Sequence, residues 1–249
     1  MLAGTETTWL KLENIKIVMV GTTHPGNIGA AARAMYNMCI ENLTLVDPQC
    51  PLGEIAYARA SGANSVLDNR ETCDNLGQAI ADCSCVIATS ARRRSLAWPE
   101  LDPAGLVAKL FAMPENERVA LVFGREHSGL TNDEMQLCNY MVCIPTNPEF
   151  SSLNLASAIQ VLCYEIYRHQ ALHPEPKLPD TQDLPAPSAE VEGYFEHLQQ
   201  VLETTGFLDP SQPGLIMQRL RRLYLRSEIT RNEINILRGM LTAVEKQRN

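Results

Sequence analysis

The sequence predicts an α/β protein, a mostly parallel sheet with helices on both faces, followed by a small helical extension. Three observations carry that prediction. Five short apolar runs, IKIVMV, NLTLVD, CSCVIATS, VALVFG and MVCIP, alternate with segments of helical period over the first two thirds of the chain, and near-continuous apolar strands belong to parallel sheets covered on both faces. A longer segment, SSLNLASAIQVLCYEIYRHQ, then places Leu155, Ile159, Leu162 and Ile166 on one helical stripe. After it the proline-rich HPEPKLPDTQDLPAPSAE interrupts all periodicity before three further helical segments.

Residues 1–13 have no clear period and read as an N-terminal extension. IKIVMV opens the sheet and leads into GTTHPGNIGAAARAM, which two phosphate-binding patterns nearly fit. Gly21 and Gly26 have P-loop spacing, yet Asn27 and Ile28 stand where a lysine and a serine or threonine must reach phosphate and magnesium. The dinucleotide fingerprint needs its first two glycines one residue apart, and Thr23, His24 and Pro25 precede Gly26 instead. The segment therefore offers Asn27 as an N-cap, Gly29 for close helix packing, and Arg33 on a helix of small residues.

Farther on, VALVFGREHSGLTNDE ends a strand at Gly124 and opens a polar loop with Arg125 and Glu126. It starts the next helix with a Thr131–Glu134 capping box. Ligands of open α/β sheets bind at such carboxyl strand ends. MVCIPTNPEFSSLNLASA repeats the strand–loop–helix order, and a serine before the helix can cap it. Ser151, Ser152 and Asn154 together exceed what capping needs. The body then spans residues 14–171, the linker 172–189 and the helical extension 190–249, which is too small for a confident core of its own and must pack on the body or a partner chain.

The net charge of −8 argues against indiscriminate nucleic-acid binding. Its distribution is uneven, with 12 basic against 18 acidic residues up to Ala171 but 8 basic against 3 acidic from Leu215 onward. Eight cysteines without a C-x-x-C read as reduced, buried small hydrophobes, Cys83 and Cys85 sharing one strand face. His24 and His127 lack a ligand constellation, so no metal is expected. Met35, Met38, Trp98 and Tyr224 read as packing. No apolar stretch has the length of a membrane span and the N-terminus has no signal-peptide pattern, so a cytoplasmic location is expected.

In order and spacing, GNIGAAARAM, LVFGREHSGL and IPTNPEFSSLNLASA resemble the three motifs of the SPOUT superfamily of RNA methyltransferases, in the branch that methylates ribose 2′-oxygens. With TSARRR and the helical tail, the resemblance to tRNA-modifying members covers all but the first dozen or so residues. It implies a C-terminal trefoil knot, an exception to the rule that chains do not thread loops. It implies S-adenosylmethionine held by Thr89, Ser90, Ala91, Gly124, Ile144, Ser151, Ser152 and Leu153, and a catalytic set of Arg33, Asn27, Glu126, Ser152 and Asn154. The partners implied are tRNA, methylated on the ribose of cytidine or uridine 32 in the anticodon loop, and a second copy of the chain, whose cleft Arg33 could serve. Arg92, Arg93 and Arg94, with Arg219, Arg221, Arg222 and Arg226 of the tail, are the candidate phosphate contacts. The alternatives are another rRNA or tRNA ribose methyltransferase of the superfamily, a non-catalytic tRNA-binding dimer, and a nucleotide-dependent oxidoreductase, which the broken glycine fingerprint opposes.

Overall fold

In the computed structural model, residues 10–91, 98–172, 185–209 and 215–246 are described. Their strands are β1 (Ile15–Val20), β2 (Asn42–Val46), β3 (Glu71–Cys73), β4 (Cys85–Thr89), β5 (Glu100–Leu101), β6 (Val119–Phe123) and β7 (Tyr140–Val142). They form one sheet in the order β3-β2-β1-β6-β4-β7-β5, with every pair parallel. The five apolar runs are β1, β2, β4, β6 and β7. β3 (ETC) and β5 (EL) are not legible in the sequence, because neither short edge strand is an apolar run. β1 and β6 lie mid-sheet and are buried along their whole length.

The body helices are α1 (Pro25–Tyr36), α2 (Glu54–Ala60), α3 (Asn64–Asp68), α4 (Leu76–Ile80), α5 (Pro103–Phe111), α6 (Asn132–Gln136) and α7 (Leu155–Leu172). The strand pleat sends alternate side chains to opposite faces. Ile17, Ile87 and Leu121 meet Ile28 of α1, Leu106 of α5 and Ile159 of α7, while Val18, Val86 and Val122 meet Leu76 of α4 and Met135 of α6. Cys83 and Cys85 are buried as expected but belong to opposite clusters, since Cys83 precedes the strand and escapes its alternation. Burial, reinforced by Asp82, pushes the Cys83 thiol up to about 12 and leaves it inert. Gly29 has the role expected of it: a Cβ there would lie 1.9 Å from the Ala56 carbonyl oxygen, so only glycine lets α1 and α2 approach this closely.

The tail consists of α8 (Ser188–Thr204), α9 (Ile216–Leu225) and α10 (Arg231–Lys246) around Tyr194, Phe195, Leu198, Leu225, Ile229 and Ile234. It packs on the body. The Ser188 amide and hydroxyl both donate to the Cys83 carbonyl at 2.8 Å, and the Ala189 amide donates to Ala81 at 3.2 Å. α8 thus begins inside the stretch read as linker, because a proline beside a helix start lacks only an N–H that would have no helical partner.

Candidate active site

The neighbouring order β1-β6-β4-β7 brings four carboxyl strand ends side by side, and with them the loops that lead into α1, α6 and α7. Gly21, after β1, has φ +59° and no side chain, and Arg125 lies across it. The guanidinium continues to Glu134, with N–O separations of 3.0 and 3.1 Å to both carboxylate oxygens. Arg125 and Glu126 therefore do not pair with each other. Glu134 also closes the capping box with Thr131, as the sequence indicates. Gly124 is required by the same loop, since a Cβ there would sit 2.2 Å from the Gly129 carbonyl carbon.

Asn27 is not the N-cap of α1. His24 is: its Nδ1 accepts the Gly26 amide at 3.0 Å, with Pro25 in the first turn. Asn27 lies inside the helix with its amide turned outward, where Nδ2 donates to Glu126 Oε1 at 2.9 Å. Thr23 donates its amide (3.3 Å) and hydroxyl (3.1 Å) to Glu126 Oε2. Asn154 Nδ2 donates to Asn27 Oδ1 at 3.1 Å, and Asn154 Oδ1 accepts the Ala156 amide at 3.0 Å. Asn154, rather than a serine, therefore caps α7. The direction of this relay is forced: a carboxylate only accepts, so Asn27 presents its NH₂ to Glu126 and its oxygen to Asn154, whose own oxygen is left for the helix. Three loops distant in sequence are held by one chain of hydrogen bonds.

Burial alone would raise the Glu126 carboxyl. The bond from Asn27, its own backbone amide and the two from Thr23 outweigh that and hold it below the ordinary value of 4.5. Its contribution to stability is therefore complete above that value and is lost as pH falls through the lower folded-state value. Glu126→Gln is expected to be less stable than the parent at about pH 6, because an amide NH₂ would face donors, and the gap is expected to narrow toward about pH 3. Urea denaturation midpoints at the two pH values check this.

Arg33 is exposed, and among the described residues no group bonds to its guanidinium. Spacing of three places Asn27, Ala30 and Arg33 on one solvent-facing strip of α1. A rise of about 1.5 Å per residue sets Arg33 roughly 12 Å along the helix from Pro25, back from the strand ends.

The residues expected to hold a cofactor are gathered at β6, β4 and β7. Thr89 Oγ1 donates to the Val122 carbonyl at 3.1 Å and the Ser90 amide to Val142 at 3.1 Å, which splices the three strand ends together. Ala91 is exposed. Ile144 packs half-buried on the core. Thr146 Oγ1 donates to the Ser151 carbonyl at 3.0 Å and closes the loop that leaves Ser152 and Leu153 exposed. Every side chain in this set is small, hydroxylic or apolar and none is charged, a donor set that suits a nucleoside read by backbone groups.

Arg92, Arg93 and Arg94 lie outside the described residues. In the tail, Arg221 leaves the set of candidate phosphate contacts: it forks onto Glu192 at 2.6 and 2.7 Å and covers the Phe195 ring at 4.6 Å, so its donors are used internally. Arg219, Arg222 and Arg226 instead line a small cleft with Trp98, Gln136 and Asn139, beside the starts of β5 and β7 and thus at the opposite ends of the strands from the loops above. Among the described residues no group of three His, Cys, Asp or Glu side chains could hold a metal ion, and no helix is long and apolar enough to cross a membrane. Sequence reasoning missed Thr23, His24 and Thr146. Pro25 in the first helical turn was the available sign that His24 is a cap; the partners of the two threonines are tertiary.

Residues 14–164 match the SpoU rRNA Methylase family, and residues 189–249 match the C-terminal domain of the tRNA methyltransferase TrmJ. The chain is 47% identical over 239 residues to the tRNA (cytidine/uridine-2′-O-)-methyltransferase TrmJ of Klebsiella pneumoniae, covering 95% of this chain and 98% of that one. It is 48% identical over 242 residues to the TrmJ of Yersinia enterocolitica, covering 95% and 93%. The crystal structure of TrmJ from Z. mobilis superposes with a TM-score of 0.81 at 34% identity, over 92% of this chain and 98% of that one. The SpoU methyltransferase AviRb of Streptomyces viridochromogenes, solved in complex with the cofactor AdoMet, shares the fold with a TM-score of 0.52 at 19% identity, over 65% and 60%. Family match, near-full-length relatives and superposable fold agree: the chain belongs to the SpoU methylase family of methyltransferases, in its TrmJ branch.

Proposed function

We propose that this methyltransferase uses S-adenosylmethionine to methylate the ribose 2′-oxygen of cytidine or uridine 32 in the anticodon loop of tRNA, acting in the cytoplasm as a homodimer. The observation that carries the reading is the relay Asn154–Asn27–Glu126–Thr23, which binds the three motif loops together around Arg33's helix. The names of the relatives support the substrate class. β6 is inserted between β1 and β4, and β7 between β4 and β5, which supports a knotted C-terminal part of the sheet. Residues 14–171 are read as the methyltransferase domain, 172–189 as the connection and 190–249 as the tail.

S-adenosylmethionine, when bound, supplies an electrophilic methyl group on a sulfonium. Thr89, Ser90, Ala91, Gly124, Ile144, Ser151, Ser152 and Leu153 would hold it, and their uncharged lining fits it. The chain's own task is to place the ribose hydroxyl in line and to stabilise charge that develops on its oxygen. Arg33 carries that charge stabilisation, a guanidinium being a poor general base, and the hydroxyl's proton leaves for solvent. Glu126, with its lowered pKa, is also a poor base, and it acts by orienting Asn27. Arg33's set-back position, and Tyr36, Tyr164 and Tyr167 exposed on the packed pair α1 and α7, support an Arg33 that serves the cleft of a second copy. Arg219, Arg222 and Arg226 contact phosphates of tRNA remote from the target nucleotide.

Nucleoside mass spectrometry after reaction with unmodified tRNA tests this. Transcripts with cytidine or uridine at position 32 are expected to gain one 2′-O-methyl group, and a transcript with a 2′-deoxynucleotide there to gain none. Undiminished methylation of the deoxy transcript would overturn the assignment.

A further inference from the structure

The geometry points to Glu228 as a positioning residue for tRNA, the latch that holds the arginine-bearing end of α9 in register on the catalytic body. The inference rests on the reading of Arg219, Arg222 and Arg226 as phosphate contacts. Glu228 lies in the turn between α9 and α10 and is held at φ +51°. A residue with a Cβ adopts that conformation at a cost, and it persists where the surroundings impose it. Here they do: Lys109 of α5 donates to one carboxylate oxygen and the Tyr140 hydroxyl at the start of β7 donates to the other. The Lys109 ammonium also lies over the Tyr140 ring, 5.2 Å from its centre. Burial, with the bond to Glu228, pushes the Tyr140 hydroxyl upward, so it remains a donor at neutral pH.

The neighbouring contact belongs to the same attachment. Asn139 accepts the Val86 amide at 2.7 Å with its oxygen and donates its NH₂ toward the Leu225 carbonyl at 3.4 Å, the last residue of α9. The end of α9 is thus fastened to β4 and β7 through polar groups, while α8 is fastened separately through Ser188 and Ala189. The Lys109 and Glu228 side chains are 23% and 26% exposed. A largely desolvated pair of this kind adds little net stability, whereas losing one partner leaves the other without compensation; such pairs serve geometry more than adhesion. Arg226 is two residues before Glu228, and Arg222 and Arg219 precede it at helical spacing on the same cleft. Fixing Glu228 therefore fixes where three guanidiniums stand relative to the catalytic loops, without touching those loops.

The test uses the full-length protein and unmodified tRNA transcripts. Glu228→Ala is expected to raise KM for tRNA about tenfold with kcat at saturating tRNA and affinity for S-adenosylmethionine unchanged, and to flatten the salt dependence of KM by about one unit of slope. Glu228→Gly, which relieves the backbone but removes the carboxylate, should behave like alanine. Tyr140→Phe, which removes one hydroxyl and keeps the packing, should shift KM in the same direction by a smaller factor. Arg222→Ala should raise KM in the parent and add little in Glu228→Ala. If Arg222→Ala raises KM but Glu228→Ala and Tyr140→Phe do not, the latch is wrong. A fall in kcat or in cofactor affinity in Tyr140→Phe would equally overturn it, since the residue would then act on the catalytic loops. If Arg222→Ala itself leaves KM and salt slope unchanged, the phosphate reading of α9 fails, and the latch with it.

Discussion

Replacing Arg33 by alanine is expected to lower kcat by about 10²- to 10³-fold, the cost typical of removing one group that stabilises developing charge on oxygen. Affinity for S-adenosylmethionine and thermal stability should be unchanged, because the side chain is exposed and has no partner among the described residues. Lysine should restore little: a point charge on a flexible stem does not reproduce a planar fork. Single-turnover methyl transfer with saturating tRNA separates this from a binding defect. If Arg33 serves a second copy's cleft, co-expressing Arg33→Ala with a blocked-cleft variant such as Ser152→Trp should return activity through hybrid dimers holding one intact site, the open cleft of one chain with Arg33 of the other. A hybrid as inactive as either parent would place Arg33 on its own cleft instead.

The largest stability effect is expected from Gly29→Ala. The new Cβ would meet backbone rather than a movable side chain, at 1.9 Å from the Ala56 oxygen and 2.8 Å from its carbonyl carbon. α1 must then withdraw from α2, at the upper end of the roughly 1–3 kcal/mol known for overpacking or beyond it. At about 2–4 °C per kcal/mol for a chain of this size, the melting temperature should fall by some 6 °C or more. Activity should fall further than stability alone explains, since α1 carries both Asn27 and Arg33, and displacements of about 1 Å at a positioned group cost around 10²-fold. Gly193→Ala in α8 is the control: its Cβ meets nothing, so the helix should gain about 0.5–1 kcal/mol. Equal melting temperatures for Gly29→Ala and the parent would show that α1 and α2 are not packed this closely.

The chain's own chemistry made much of this legible. IKIVMV and VALVFG read as strands because their apolar runs suit burial on both faces, and the Thr131–Glu134 box and the three tail helices follow from interactions within a turn or two, while the small residues around Gly29 announce a close helix contact without naming its partner. Each of the three motif segments joins a strand end to a helix start, which by itself also describes ordinary packing; it is their resemblance, taken together, to the SPOUT motifs that marks them as functional. Tertiary structure decided what their side chains do. Asn27 near a helix start reads as a cap, and becomes a relay only because Glu126, 99 residues away, and Asn154, 127 residues away, converge on it. Arg221 reads as one of four candidate phosphate-binding arginines of the tail until Glu192 and Phe195 claim it. The remaining three stand beside the amino ends of β5 and β7, away from the motif loops at the carboxyl ends, a placement set by strand order and by how α9 is fastened. Hydrogen bonds and ion pairs across such separations depend on which strands become neighbours, and strand order is a property of the whole packed sheet, whereas periodicity and capping boxes are written within a few residues of where they act.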